Sequence, residues 1–116
     1  MKNTLIFLSF VLITQISYAK FPKKAFREAK VYRNELSLSK KQTHDIVKIA
    51  TRRIKTVRKL HPLRASNASE FKTKENNTRK IFEGDLLTIF TTEQKKYYTS
   101  HRSEIRDRLR EAKLYH

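Results

Sequence analysis

The chain reads as an all-α protein, and three observations lead there. Its 116 residues hold one Gly and two Pro, so strand-turn signals are scarce. Lys, Arg, Glu, Leu and Ala dominate, a mixture that favours helix. Apolar residues recur at intervals of three and four, with no sustained period-two alternation after residue 20. From these, an all-helical domain of four helices is expected.

The first nineteen residues have the organisation of a secretory signal peptide. Lys2 is the positive start and the run Leu5 to Ile13 is the apolar centre. Ser17-Tyr18-Ala19 places small residues at −3 and −1 of a cleavage site. The apolar run is shorter than the ~20 residues that span a bilayer. No Cys follows it, which excludes a lipoprotein anchor at this point. Cleavage after Ala19 would leave a single domain of 97 residues, 20–116, and lower the formal charge from +16 to +15. Without Cys that domain has no disulfide or thiolate metal site to stabilise it, which favours a homodimer or a thin fold.

Phe21, Ala25, Ala29, Tyr32 and Leu36 mark a first helix after Pro22, with Lys23, Lys24, Arg27, Lys30 and Arg33 on its other side. Ser39 then opens a second helix, with Gln42 three residues on to bond back to the cap's own N–H in a capping box. That helix runs to about His61, before Pro62. Leu63 to Ser69 is expected to be a loop. A third helix follows from near Ser69, with Phe71, Glu75, Thr78, Phe82, Leu86 and Ile89 on one face. Thr91 and Gln94 repeat the capping box and open a fourth helix that buries Tyr98, Ile105, Leu109 and Ala112.

The two boxes share more than a cap. Leu38-Ser39-Lys40-Lys41-Gln42 and Phe90-Thr91-Thr92-Glu93-Gln94 both read apolar, hydroxyl, any, any, Gln, 52 positions apart. The pattern resembles the LTxxQ-motif family of bacterial periplasmic proteins (Spy/CpxP-like) over roughly Leu36 to Ala112. Ser39 stands where the family has Thr, and Phe90 where it has Leu. The resemblance implies a hairpin-rich, elongated protomer that forms an antiparallel, cradle-shaped homodimer with a basic concave face. It also implies ATP-independent chaperone activity on unfolded clients, and in some relatives restraint of an envelope sensor kinase or a metal-responsive role. The expected location is periplasmic.

On a wheel of the second helix, Ile46, Ala50 and Val57 cluster, Ile49 and Leu60 lie to one side, and Val47 and Ile54 to the other. This arc is wider than one packing contact needs. Arg53 falls inside it. It either snorkels its charge to the edge or, with Val47 and Ile54, reaches a dimer partner or client. Lys41, Lys48, Arg52, Lys55 and Lys59 lie behind the arc, while Arg102, Arg106 and Arg110 recur every fourth residue on the fourth helix. The expected client surface thus joins these basic rows, Lys41 apart, to Phe26, Val47, Arg53 and Ile54. Charge would steer unfolded or acidic proteins to it, and weak apolar contacts would hold them. Amphipathic basic helices equally suit an anionic membrane or glycan surface.

Other signals point nowhere specific. His44, His61, His101 and His116 form no metal motif, and no metal or other cofactor is expected. Asp107 and Glu111 lie among arginines and read as solvated ion pairs. No nucleophile constellation or phosphate loop is present, so the chain reads as non-enzymatic. Asn67-Ala68-Ser69 and Asn76-Asn77-Thr78 match the glycosylation pattern, a coincidence in a bacterial protein. Export argues against nucleic acid as a physiological partner despite the charge.

Overall fold

The computed structural model describes residues 21–112, and the signal-peptide segment lies outside them. All regular structure among the described residues is helical, in six helices. They are α1 (Lys23–Leu36), α2 (Lys40–Leu60), α3 (Leu63–Ser66), α4 (Ala68–Ile89), α5 (Thr92–Ser100) and α6 (Arg102–Glu111). No helix among the described residues is long and apolar enough to cross a membrane.

Pro22 precedes α1 without a side-chain cap bond. Phe21 instead packs edge-on against Phe26, with ring centroids 6.2 Å apart. An apolar residue before the cap meeting one at the fourth helical position is a hydrophobic staple, which sets the angle of entry. The helix stops at Ser37, whose φ of 53° is left-handed and whose N–H bonds to the Arg33 carbonyl. The Leu38 N–H reaches the same oxygen at 3.2 Å. A non-glycine residue bears a steric cost there. Ser37→Gly is therefore expected to raise stability by roughly 0.5–1 kcal/mol, read from the urea midpoint.

Both expected capping boxes form in full. Ser39 Oγ accepts from the Gln42 N–H at 3.1 Å and Gln42 Oε1 accepts from the Ser39 N–H at 2.9 Å. The Thr91 and Gln94 pair repeats this at 3.2 and 2.9 Å.

The segment expected as a loop is corrected. Leu63–Ser66 makes one helical turn, because Pro62 has a helical φ of −59° and the Asn67 N–H reaches the Leu63 carbonyl at 2.7 Å. The next helix starts at Ala68, beside the expected Ser69, and Asn67 caps it. Its Oδ1 accepts from the Glu70 N–H at 3.1 Å, and its Nδ2 donates to Glu70 Oε2 at 3.2 Å. This cap and the Glu70–Lys74 ion pair at 3.0 Å carry α4 through its polar first half.

The expected single fourth helix is broken at His101; with the Leu63–Ser66 turn, this makes six helices of the expected four among the described residues. Thr99 and Ser100 hydroxyls donate to the Lys95 and Lys96 carbonyls, each at 2.8 Å, and the His101 ring Nδ1 lies 2.9 Å from the Tyr97 carbonyl. Three consecutive side chains thus compete for the carbonyls of one turn. The break separates the burial of Tyr98 from that of Ile105 and Leu109.

α2 and α4 form an antiparallel hairpin. Gln42 at the start of α2 bonds to Ile89 at the end of α4, and Arg53 lies over Phe82, 4.6 Å from its ring centroid. α1 packs on α2, and the chain returns through α5 and α6 against α1. Ala25 and Ala29 are buried, and such small side chains let helices approach closely. The core joins Tyr32, Leu36 and Leu38 to Ile46, Val47 and Ala50, and then to Phe82, Leu86, Phe90 and Tyr98 and the α6 residues Ile105 and Leu109. The molecule is elongated, with principal extents of 59 × 37 × 24 Å.

Candidate functional site: a cationic cleft with an apolar floor

The motif residues hold the fold together in a way that capping alone does not. Leu38 and Phe90 are buried in the core. Gln42 Nε2 donates to Gln94 Oε1 at 2.7 Å and to the Ile89 carbonyl at 3.1 Å. Gln94 Nε2 faces Gln42 Oε1 and the Leu36 carbonyl at the longer distance of 3.5 Å. The same amides that close the caps therefore tie the start of α2 to the start of α5. The aromatic rings of Tyr32, Phe90 and Tyr98 pack nearby, with centroids 5.4 to 6.5 Å apart.

Between the α2–α4 hairpin and α6 lies a cleft of about 680 Å³. Its floor is made by Ile54, Val57, Phe82, Leu86, Ile105 and Leu109, with Tyr32 and Tyr98 at one side. Its walls carry seven cations, Lys24, Arg53, Arg58, Arg79, Arg102, Arg106 and Arg110, against the carboxylates of Glu75 and Glu83.

The cations differ in what already holds them. Arg53 pairs with the fully buried Glu28 at 2.5 Å, and its own side chain is 13% exposed. Arg102 pairs with Glu83 and lies over the Tyr98 ring, 5.4 Å from its centroid. Arg79 and Arg110 have loose partners, Glu75 at 4.0 Å and Asp107 at 3.9 Å. Lys24, Arg58 and Arg106 have no ion pair among the described residues. Burial pushes the Tyr98 hydroxyl above its ordinary range, with Glu83 adding to the shift and Arg102 and Arg106 opposing it.

The surface expected from sequence is divided among several places. Arg102, Arg106 and Arg110 do line the cleft. Val47 and Ile54 do not form an open client surface: they are 2% and 7% exposed and belong to the core, Ile54 also reaching the cleft floor. Phe26 is half-buried, packed on that core. Arg53 does not snorkel its charge to the water: its guanidinium is held by the buried Glu28 with the side chain 13% exposed, and it also lines the cleft. Lys48, Arg52, Lys55 and Lys59 are exposed but absent from the cleft.

Lys24, Arg58 and Arg79 escaped sequence reasoning because the cleft is assembled from helices that are not neighbours in the chain. Arg58 had one local signal, its place a turn after Ile54 and beside Val57. Among the described residues no group of three or more His, Cys, Asp or Glu could hold a metal.

No protein-family model, no curated protein and no solved structure matches the chain.

Proposed function

We propose that this chain is an exported, ATP-independent chaperone-like protein that holds unfolded or acidic protein segments in the cationic cleft. The observation that carries the reading is the pairing of an apolar floor with three cations, Lys24, Arg58 and Arg106, that lack ion-pair partners among the described residues.

Long-range attraction draws an acidic chain toward the excess of positive charge, +15 once residues 1–19 are removed. At the cleft its carboxylates meet guanidinium groups, which bind them in bidentate fashion. Apolar side chains beside those carboxylates then reach the floor between the arginine stems. Arg and Lys stems cover such a floor when it is empty and swing away at little cost. The contacts are few and rimmed by water, so release needs no nucleotide.

The two complete capping boxes, each on the pattern apolar, hydroxyl, any, any, Gln, support placement in the LTxxQ-motif family. The periplasmic location, the cradle-shaped homodimer and any action on an envelope sensor kinase are parts of the same proposal.

The test is aggregation of a destabilised acidic client, followed by light scattering at low salt. Suppression is expected, weakening as salt screens the charges over a Debye length of about 10 Å at 0.1 M. Arg58→Glu with Arg106→Glu should weaken client binding by roughly tenfold or more. Its helical circular dichroism should persist, since both side chains are exposed. Folded protein that fails to suppress aggregation at low salt would overturn the proposal.

A further inference from the structure

The cleft occupies one side of the α2–α4 hairpin, and the other side is organised differently. Lys41, Lys48, Arg52, Lys55 and Lys59 are all exposed. At 100° and 1.5 Å per residue they fall within an arc of about 60° and run for roughly 27 Å along α2. The same wheel puts the cleft residues Ile54 and Val57 on the opposite side of the helix, so the row faces away from the cleft.

Ile81 stands beside this row. It is 63% exposed, more than any other large apolar side chain among the described residues. With Ile49, Arg52, Thr56 and Asp85 it lines a shallow groove at the seam of α2 and α4, whose inner side, Arg53, Thr78 and Phe82, also lines the cleft. Two acids border the row: Asp45 on α2, half-buried and 20° outside the arc on the same wheel, and Asp85 on α4, engaged by Arg52 at 3.7 Å, so five cations face two carboxylates.

We infer that this outer face docks on an anionic lipid bilayer. A straight row of cations meets the plane of headgroup phosphates along its whole length, and lysine stems reach that plane while their helix lies above it. Ile81 adds the apolar contact that interfacial helices place at the headgroup boundary. A linear polyanion would use the row and leave Ile81 without a role. A second copy of the chain would bring one cationic row against another, which charge disfavours. The inference is independent of the cleft and of what the cleft binds.

The experiment is co-sedimentation of the full chain with mixed phosphatidylglycerol–phosphatidylcholine vesicles and with phosphatidylcholine vesicles. The ratio of the two partition coefficients cancels any charge-independent contribution from the apolar residues 5–13. A strong preference for the anionic vesicles is expected. Each lysine near such a surface contributes about fivefold, so K48Q/K55Q/K59Q should lower the ratio about a hundredfold. Ile81→Ser should lower binding to the anionic vesicles severalfold. K72Q/K95Q/K96Q removes the same charge elsewhere and should leave the ratio within about twofold. All variants should melt as the parent does, because every altered side chain is exposed.

Three results would overturn the inference. One is equal binding to both vesicle types. Another is an equal loss in the two lysine triples, which would reduce the effect to net charge. The third is binding to linear polyphosphate that needs the row and ignores Ile81, with no vesicle binding.

Discussion

Glu28→Ala is expected to lower the unfolding free energy by about 3–5 kcal/mol. Glu28 is fully buried on α1, and its partner Arg53 on α2 has a side chain 13% exposed. Removing the carboxylate takes a buried anionic partner from the Arg53 guanidinium, which lies over the Phe82 face with a side chain only 13% exposed to water. Domains of this size are stable by only about 5–15 kcal/mol, so one substitution removes a large share. The loss does not measure what the pair contributes. Forming it required dehydrating two charges, and a packed apolar pair can do as well. Glu28→Leu with Arg53→Met should therefore recover most of the stability while removing one cation from the cleft wall. Urea unfolding followed by circular dichroism reads both variants. A loss below about 1 kcal/mol for Glu28→Ala would mean that the pair is solvated and the α1–α2 contact looser than described.

Gln42→Ala and Gln94→Ala should each cost about 2–3 kcal/mol, because each removes a cap bond and a part-buried bond between α2 and α5. The double variant should cost less than the sum, with a coupling of roughly 0.5–3 kcal/mol. Gln42→Glu separates the two roles. Glu serves a capping box as well as Gln does. At Gln42, however, the amide Nε2 donates to Gln94 Oε1 at 2.7 Å and to the Ile89 carbonyl at 3.1 Å. A carboxylate there would face two acceptors. Gln42→Glu should thus destabilise by about 2 kcal/mol or more despite keeping its cap bond. Additive single losses and a harmless Gln42→Glu would show two independent caps and no tie between them.

Much of the architecture was legible because it rests on neighbours in the chain. The ends of α1 and α2 and the start of α5 follow from Leu36, Ser39, Gln42, Pro62, Thr91 and Gln94, whose effects act within one helical turn. The misread places are also local, and each involves a competition the wheel does not see. At Leu63–Ser66 a turn of good helix formers outweighed the look of a polar loop. At His101 hydroxyl and imidazole groups interrupted a pattern that apolar spacing alone would continue.

The candidate site was legible only in part. The row Arg102, Arg106 and Arg110 showed in its spacing. Arg53 showed in its place inside the apolar arc of α2. Lys24, Arg58 and Arg79 did not show, because they lie on α1, α2 and α4 and converge only when the chain folds. Val47 and Ile54 look free on a wheel of one helix. They are buried because α2 packs against more than one helix, so more of its circumference is covered than a single contact would need.

Composition and local spacing, then, set the helical class, the caps and the cationic excess. Tertiary packing alone decided that the two motif amides bond to each other and that Arg53 is held by Glu28. It also decided that the cations divide between a cleft and an outer row. Caps act over three or four residues of one chain segment, whereas a cleft is a relation between surfaces whose distance apart no local pattern encodes.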